Sequence, residues 1–377
     1  MKNVIYFVLI LLLGTSFVPA QSIAQKRAAR IGLGMNLSYL DNYWLGTKAK
    51  NFSDFVKASE AAKREKMFAD ISAAGFKTVR IPVNFSAWAS FNAPFRWENQ
   101  EGLKTADLFV KWALANDLNA IVDLHHAEFD GTIPGAATTE RLVWLWKEIA
   151  ARYENTDPER VFFELRNEPH DISAQDWRRQ AQEIIKTVRQ TAPKHTLIVG
   201  FHDWNSRAAL IDSEPFADQN IIYTFHYYDP FIFTHQGATW AGAGLPELKN
   251  VPFPAAAAKI EVPETARGKW VESLIKNYEK DSKAEKMFAD LKAAKDWSVK
   301  NSAPIFLGEF GSYGKFPTPA DRCRHAEAVY SALGKLDIPN AWWEWDGGFN
   351  MFEKGTTKIS DCMRKAFEAY NLQKPVK

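Results

Sequence analysis

Eight short apolar runs, separated by longer amphipathic stretches, constrain the fold of this chain more than any other feature. Within each run apolar residues follow one another without alternation, which is typical of parallel strands buried on both faces. The spacing of apolar residues between the runs predicts helices that bury one face. The predicted strands are residues 31–37, 78–84, 119–125, 161–167, 196–201, 221–227, 303–308 and 340–346. The predicted helices include 60–74, 104–116, 139–153, 174–192, 283–300 and 319–334.

Strands that alternate with helices predict an α/β fold, and eight such strands predict a closed (β/α)8 TIM barrel. The chain has 377 residues, of which 46% are hydrophobic, and this is enough for one large core in a single domain. A doubly wound open sheet is the alternative architecture. It is disfavoured because no glycine-rich phosphate-binding loop follows the first predicted strand.

The charge of the chain excludes one large class of partner. There are 47 basic and 45 acidic residues, which give a formal net charge of +2, and no long run of like charge. A surface that binds nucleic acid needs clustered lysines and arginines, so we expect no nucleic-acid partner. Cys323 and Cys362 are the only cysteines. They could form a disulfide in an oxidising compartment, although the sequence does not show whether their Cα atoms are close enough.

The N-terminus has the pattern of a secretory signal. Lys2 precedes an apolar run over residues 4–13, and small residues continue to Ala20, where cleavage is expected; cleavage after Ala24 is the alternative. The apolar run is shorter than the roughly 20 residues that span a bilayer. We therefore expect an exported protein, secreted or periplasmic, without stable membrane association, and a retained N-terminal anchor is the lesser alternative.

Two glutamates stand at the ends of predicted strands. Glu168 follows the run Phe-Phe-Glu-Leu-Arg-Asn (162–167), and Glu309 follows Pro-Ile-Phe-Leu-Gly (304–308). An unpaired carboxylate costs several kcal/mol to bury, so a glutamate in such a position is expected to face a cleft. Two carboxylates that face one cleft are the minimum needed to cleave a glycosidic bond. The alternative is a pair of unrelated surface glutamates.

Six short motifs, in order along the chain, resemble those of glycoside hydrolase family five, the retaining β-glycanases of the cellulase type. The resemblance extends from about residue 30 to residue 370, each motif lies at the end of a predicted strand, and it implies a TIM barrel with catalytic glutamates on strands four and seven. The motif residues are Arg80, His125 and His126, Asn167-Glu168-Pro169, His226 and Tyr228, Glu309, and Trp343.

The resemblance implies a role for each residue. Glu168 would be the acid/base and would need a raised pKa, whereas Glu309 would be the nucleophile and would need to stay ionised. Arg80 would favour the charged form of Glu309, although it could instead be the structural partner of a buried carboxylate. Tyr228 would donate a hydrogen bond to Glu309, and Asn167 would bind the 2-hydroxyl of the sugar.

The remaining motif residues would surround the same sugar. His125, His126 and His226 would supply neutral donors and acceptors, although each could instead be a structural histidine. Trp343 would provide a flat face beneath the sugar ring. His125 and His126 are adjacent and would point to opposite faces of a strand, which is poor geometry for chelation. We therefore expect no metal and no cofactor.

The connection after the sixth predicted strand is unusually long, since it covers residues 229–282. Connections of this length are usually functional or disordered. After a barrel strand they lie on the face that carries active sites. We interpret this insertion as a wall of the cleft, with Trp240 as a candidate for stacking on a sugar. A solvated insertion without a catalytic part is the alternative.

These interpretations predict a signal peptide over residues 1–20 and a single catalytic domain over residues 21–377, which is expected to act as a monomer on a polysaccharide. The segments 199–206 and 343–349 resemble those of endoglucanases, which favours an endo-β-1,4-glucanase. A β-mannanase or a mixed-linkage β-glucanase is the main alternative, and a non-catalytic carbohydrate-binding barrel is a remote one. No Pro/Thr/Ser-rich linker is visible, so soluble or amorphous glucan is the expected substrate.

Overall fold

The eight predicted strands all form and close into one parallel barrel. A computed structural model of the protein describes residues 21–42, 58–125, 138–256 and 259–375. Each strand pairs with the next along the chain, and the last pairs with the first. The strands are β1 (Leu33–Asn36), β2 (Thr78–Val83), β3 (Asn119–Leu124), β4 (Val161–Glu164), β5 (Leu197–Val199), β6 (Ile221–His226), β7 (Ile305–Phe310) and β8 (Asn340–Trp342).

Helices follow the strands and cover the outside of the barrel, as a (β/α)8 fold requires. The α-helices are α1 (Ile23–Ile31), α2 (Tyr39–Asn42), α3 (Ala58–Ala73), α4 (Gln100–Ala115), α5 (Thr139–Tyr153), α6 (Ala174–Thr191), α7 (Arg207–Ile211), α8 (Phe231–Thr234), α9 (Trp270–Asp281), α10 (Ala284–Asn301), α11 (Pro319–Lys335) and α12 (Asp361–Gln373). Short 3-10 helices cover Phe85–Trp88, Leu245–Glu247 and Glu264–Ala266. A further helical turn, His202–Asn205, follows β5. The prediction of a TIM barrel is confirmed.

Three predicted strands extend past the regular ladder. The strand predicted over 161–167 ends at Glu164, the one over 340–346 ends at Trp342, and the one over 196–201 is shorter at both ends. Beyond Glu164, Leu165 and Asn167 still donate backbone hydrogen bonds to β5 and β3, but the chain bends between these contacts. The apolar run therefore predicts where the chain is buried better than it predicts where the sheet ends.

The interior of the barrel has an apolar layer at one end. Its residues come from six strands and pack against α1, which lies across the bottom of the barrel. They are Ile121, Phe162, Ile198, Ile222, Phe306 and Ala341, with Ala24, Ala28 and Ile31 from the helix. The alternating side chains above this layer are polar, and they include Arg80, Asp123 and Glu164. The polar layer lies nearer the carboxyl ends of the strands, where active sites of this fold are built.

Helix α1 is held in this position at its start and along its length. Ser22 caps its N-terminus through a reciprocal hydrogen-bond pair with Gln25. The buried guanidinium of Arg27 donates to the carboxylate of Glu159, just before β4, and to the backbone carbonyl of Lys194, just before β5. The helix is thus tied to the loops that enter the barrel from below. The proposed signal segment, residues 1–20, lies outside the described residues.

The two cysteines are paired. Cys323 in α11 and Cys362 in α12 form a disulfide, with their Cα atoms 5.8 Å apart. The bond joins the helix that follows β7 to the helix that follows β8, and these two helices pack closely along their lengths. In the part of the chain that the structure describes, no helix is both long enough and apolar enough to cross a membrane.

The insertion at 229–282 is structured and lies beside the barrel mouth. It contains α8 and α9, and the side chain of Gln236 fixes the loop by hydrogen bonds to the backbone of Val251. The ring of Trp240 is 61% exposed and packs edge-on against Tyr313, which follows β7. The described residues of this segment are therefore a packed structure with an exposed aromatic ring.

Candidate active site

The guanidinium of Arg80 lies at the centre of the polar layer. Arg80 is fully buried on β2 and its Nε, Nη1 and Nη2 atoms all donate hydrogen bonds to side chains from neighbouring strands. Its acceptors are Glu164 (2.7 and 2.9 Å), Glu309 (2.7 Å), Asn167 (2.7 Å), Asn36 (3.0 Å) and Asp123 (2.9 Å). Burial opposes its charge, but the attraction of Asp123, Glu164 and Glu309 raises the pKa of Arg80 well above the usual value. Arg80 is therefore both a structural partner of buried carboxylates and a neighbour of Glu309, so both alternatives for this residue hold.

Glu309 is buried on β7 and is held from both sides. Its Oε1 accepts a hydrogen bond from Arg80 at 2.7 Å, and its Oε2 accepts one from the hydroxyl of Tyr228 at 2.9 Å. Burial raises the pKa of Glu309, while His226, Arg80 and the Tyr228 hydrogen bond oppose this rise. Burial, together with Glu309 and Glu168, raises the pKa of Tyr228 well above its usual value, so its hydroxyl keeps the hydrogen that it donates.

Glu168 lies just beyond β4 and is more exposed than Glu309. Its Oε1 lies 2.7 Å from Nδ1 of His226, at the end of β6. Burial lowers the pKa of His226 to about 4, against the opposing effect of Glu309, so the ring is neutral at pH 7. A neutral imidazole can donate to an ionised carboxylate or accept from a protonated one. His226 therefore suits a glutamate that changes its protonation state.

The two glutamates face each other at short range. One carboxylate oxygen of Glu168 lies within 4.8 Å of one carboxylate oxygen of Glu309, and Nδ1 of His226 lies within the same distance of both. An approach of one oxygen pair to within 4.8 Å favours the roughly 5–5.5 Å carboxyl separation of retaining glycosidases over the roughly 6.5–9.5 Å of inverting ones. The sequence prediction that both carboxylates face one cleft is consistent with this geometry.

His125 and Trp343 form one side of the cleft. Nδ1 of His125 lies 2.6 Å from the carboxylate of Asp123, and the His125 ring stacks on the Trp343 ring with their centroids 5.6 Å apart. Trp343 is partly exposed, so one face of its indole can contact a ligand. His126, the third predicted histidine, lies outside the described residues.

Asn167 is oriented by Arg80. Its Oδ1 accepts the hydrogen bond from Nη2 of Arg80, so the hydrogens of its Nδ2 are the donors left for another partner. The backbone carbonyl of Asn167 in turn accepts from the side chain of Asn205, after β5. An amide fixed in this way can donate to a sugar hydroxyl beside Glu168.

The turn after β5 presents an exposed aromatic face beside Glu168. Asp203, Trp204 and Asn205 have consecutive positive φ angles of 58°, 57° and 54°. The Trp204 ring is 54% exposed and stacks on His170, with centroids 3.7 Å apart and an interplanar angle of 1°. The backbone N–H of Trp204 donates to the carbonyl oxygen of Pro169, the residue after Glu168. Strained backbone of this kind is typical of functional loops.

A fourth glutamate of the site, Glu344, lies just beyond β8. Glu344 is buried, its carboxylate lies close to Gly347, and Glu309 contributes to its electrostatic environment. Burial raises the pKa of Glu344 to about 7, against a hydrogen bond from Ser38. Glu344 therefore exchanges a proton in the neutral range.

The central carboxylates could in principle hold a cation. Glu168, His226 and Glu309 each offer one ligand atom within 4.8 Å of the other two. These atoms already share hydrogen bonds, and the charge of Arg80 beside Glu309 opposes the entry of a second cation. The absence of a catalytic metal stays a prediction.

Sequence reasoning missed three charged residues of this layer and the exposed turn. Asp123 and Glu164 lie inside apolar runs, at the third and fourth strands, and a charge within such a run is itself a signal that was available. Glu344 lies between two tryptophans, and Trp204 lies in a segment interpreted only by its resemblance. None of these residues could be assigned a partner without the closed barrel.

Residues 41–348 match the family model "Cellulase (glycosyl hydrolase family 5)". The chain belongs to this family. Glycosyl hydrolases of family 5 act on polysaccharides, and the family assignment confirms the resemblance on which the interpretation of the motifs rests.

Two curated relatives and one solved structure illustrate the match. Endoglucanase 3 of Fibrobacter succinogenes is 30% identical over 315 residues, which are 78% of this chain and 47% of that protein. Endoglucanase C of Acetivibrio thermocellus is 27% identical over 321 residues, which are 83% of this chain and 90% of that protein. The chain thus spans about half of the first relative and most of the second.

The solved structure is Thermotoga maritima Cel5A in complex with cellobiose. It shares 28% sequence identity and a TM-score of 0.72 with this family 5 chain, covering 91% of this chain and 99% of that one. A structure of the same Thermotoga protein in complex with mannotriose gives the same values. The likeness confirms the fold over nearly the whole described chain.

The hydroxyl of Tyr228 provides a test of the site that leaves its shape intact. Tyr228→Phe removes one hydrogen bond to a charged group, worth about 1.5–3 kcal/mol, so kcat should fall roughly 10- to 100-fold. The lost bond favours ionised Glu309, so the pKa of Glu309 should rise and the acidic limb of the kcat/KM profile should move to higher pH. Steady-state kinetics from pH 4 to pH 9 measure both effects.

Tyr227→Phe is the matched control. The Tyr227 hydroxyl donates to Asp290 on α10, away from the two central glutamates. This variant should keep the pH profile of the wild type. A profile that moves equally in both variants would contradict the role given to Tyr228.

Proposed function

We propose that this protein is a retaining endo-β-1,4-glucanase that hydrolyses internal bonds of soluble or amorphous glucans by double displacement. Glu309 is the nucleophile and Glu168 is the acid/base. The observation that carries this proposal is the separation of at most 4.8 Å between one oxygen of each carboxylate. The names of the relatives support the choice of a glucan, since both are endoglucanases.

The first step forms a covalent glycosyl–enzyme ester. Glu309 attacks the anomeric carbon while Glu168 gives its proton to the glycosidic oxygen, so the bond to the leaving sugar breaks as the ester forms. Asn167 donates to the 2-hydroxyl and Trp343 supports the sugar ring. Arg80 and Tyr228 hold Glu309 in the position from which it attacks.

The second step releases the sugar. Glu168, now ionised, removes a proton from water, which attacks the anomeric carbon and displaces the carboxylate of Glu309. Negative charge returns to Glu309 during this step. Arg80 and Tyr228 are placed to stabilise that charge, as preorganised donors do at developing anions. Nδ1 of His226 lies 2.7 Å from Oε1 of Glu168, where a neutral imidazole can donate to the ionised carboxylate that this step requires.

A β-mannanase or a mixed-linkage β-glucanase is the second candidate. A structure similar to this one was solved with mannotriose, and glucose and mannose units differ only in the orientation of one hydroxyl. Initial rates on carboxymethyl cellulose, glucomannan, lichenan and xylan distinguish these substrates. A preference for mannan would contradict the glucanase proposal but leave the roles of Glu168 and Glu309 in place.

Aromatic rings extend the cleft on both sides of the acid/base. Trp204 exposes its ring beside Glu168. Trp240 contacts Tyr313, which contacts Phe349, and Phe349 in turn contacts Tyr228. Flat exposed rings suit the apolar faces of sugars. These ring contacts support the interpretation of the insertion as a wall of the cleft.

The proposal includes export of the protein through its N-terminal signal. It also includes that the protein acts as a monomer. Ala24 is fully buried beneath the barrel and Ser22 caps α1, so cleavage after Ala24 would remove the cap and the first turn of that helix. Cleavage after Ala20 preserves both. The intact mass of the exported protein should therefore correspond to a chain that starts at Gln21, and a mass that includes residues 1–20 would contradict export with cleavage.

Removal of the acid/base should affect substrates unequally. Glu168→Ala should lower kcat/KM on soluble glucan by about 10²- to 10⁴-fold, the usual contribution of a positioned acid. An aryl glycoside with a good leaving group needs no proton, so its glycosylation step should lose much less, although deglycosylation should slow for want of a base. Pre-steady-state release of the aryl group measures the first step. Equal loss of that step on both substrates would count against the assignment.

The stereochemistry of the first product tests the nucleophile. Attack by Glu309 followed by attack by water inverts the anomeric carbon twice, so the new reducing end should have the β configuration. Proton NMR recorded within minutes of adding enzyme reports the anomer before mutarotation. An α anomer as first product would overturn the retaining mechanism and the role of Glu309.

A further inference from the structure

Glu164 is a charged residue of the site for which the proposed reaction has no use. It ends β4, four residues before Glu168, and is fully buried. Its side chain has no exposed surface, so it cannot touch a polysaccharide in the cleft. A buried carboxylate is costly unless its partners repay the desolvation, so the partners of Glu164 indicate what it does.

Glu164 holds one edge of the Arg80 guanidinium. Its Oε2 accepts from Nε at 2.7 Å, and its Oε1 accepts from Nη2 at 2.9 Å. The guanidinium is planar and rigid, so fixing two of its nitrogens also fixes the third. That third nitrogen, Nη1, donates to Glu309 at 2.7 Å.

We propose that Glu164 is a positioning residue for the nucleophile, because its two-point contact with Arg80 aims Nη1 at Glu309 throughout the catalytic cycle. This inference rests on the proposed function, since it takes Glu309 as the nucleophile. It adds a residue that acts through Arg80 and never contacts the substrate.

The catalytic cycle explains why a second anchor is needed. Glu309 loses its negative charge when it becomes an ester and regains it when the sugar leaves. Without Glu164, the guanidinium would keep Asp123 and Asn167 at Nη2 and Asn36 at Nη1, but the ester would leave it without a carboxylate at Nε or Nη1. Glu164 keeps its charge-assisted contacts with Arg80 in both states, so Nη1 stays in place for the charge that returns to Glu309.

The two-point contact between Glu164 and Arg80 depends on the ionisation of Glu164. The charged or titratable groups around it are Arg80 on β2, Asp123 on β3, His226 on β6 and, through Arg80, Glu309 on β7, while β5 contributes the apolar Ile198. Burial and the charge of Asp123 raise the pKa of Glu164 to about 7, against the opposing effect of Arg80. An ionised carboxylate accepts both hydrogen bonds more strongly than a protonated one. The positioning effect should therefore strengthen as the pH rises through 7.

Glu164→Gln is the decisive variant, since the amide resembles a protonated glutamate in size and charge. We expect kcat on soluble glucan to be within about threefold of wild type at pH 5 and about tenfold or more below wild type at pH 8, with KM unchanged at both. The ratio of wild-type to variant kcat cancels the pH dependence of the other groups. The same ratio at both pH values, or no deficit at either, would overturn the proposal.

Glu164→Asp tests the length of the side chain separately from its charge. Aspartate keeps the negative charge but is one methylene shorter, so it cannot hold both nitrogens in the same geometry. Its kcat should be reduced most at pH 8, where Glu164 is ionised, and wild-type kcat at pH 8 in this variant would overturn the positioning role. This variant also keeps the proposal testable if Glu164→Gln does not fold. Thermal unfolding of each variant shows at which temperatures the variants are folded, so that their kcat values can be compared.

Asp290→Asn is the matched control. Asp290 is also a buried carboxylate in ion pairs, with Lys286 and Arg207, but it lies on α10 outside the barrel. The wild-type to variant ratio of kcat should not change between pH 5 and pH 8 for this residue. A wild-type protein that cleaves no β-glycan would overturn the proposed function itself, whereas a constant ratio for Glu164→Gln in an active enzyme overturns only the inference about Glu164.

Discussion

The buried guanidinium of Arg80 is the interaction on which the rest of the site depends. Three carboxylates from three strands meet at this one cation, and each would be costly to bury without it. Arg80 also fixes the amide of Asn167 and so connects the segment that carries Glu168 to Glu309. A lysine could not replace it, because an ammonium is a point charge and lacks the planar fork that reaches several acceptors at once.

The barrel makes this arrangement possible by stacking two kinds of interior layer. Residues two apart on one strand point to the same side, so Phe162 below and Glu164 above both face the interior. The apolar layer contributes hydrophobic stabilisation inside the barrel, and the polar layer above it carries the charge. The same low-dielectric surroundings that make the charges costly also strengthen their mutual interactions.

Much of the fold could be predicted from the sequence because continuous apolar runs report burial directly. Eight runs gave eight strands, and their parallel order placed Arg80, Glu168, His226 and Glu309 at one end of the barrel. The strand ends could not be predicted, since they depend on where the ladder of backbone hydrogen bonds breaks, as it does after Glu164. Periodicity alone carries no information on that point.

Fewer of the contacts between site residues than of the strands could be predicted from the sequence. Arg80 was expected beside Glu309, and it lies there, but its contacts with Glu164 and Asp123 require the curvature of a closed sheet. The turn that exposes Trp204 depends on three consecutive left-handed residues, none of which is glycine. Such conformations are imposed by surrounding contacts and are not encoded in local propensity.

The position of helix α1 determines where a binding module or a support can be attached to this enzyme without blocking its cleft. The helix closes the bottom of the barrel, and its first residues lie at the end opposite to the cleft. A binding module, an affinity label or a solid support joined through the start of α1 would therefore stand behind the barrel mouth and leave the cleft open. The fold thus separates the point of tethering from the point of attack by the full depth of the barrel.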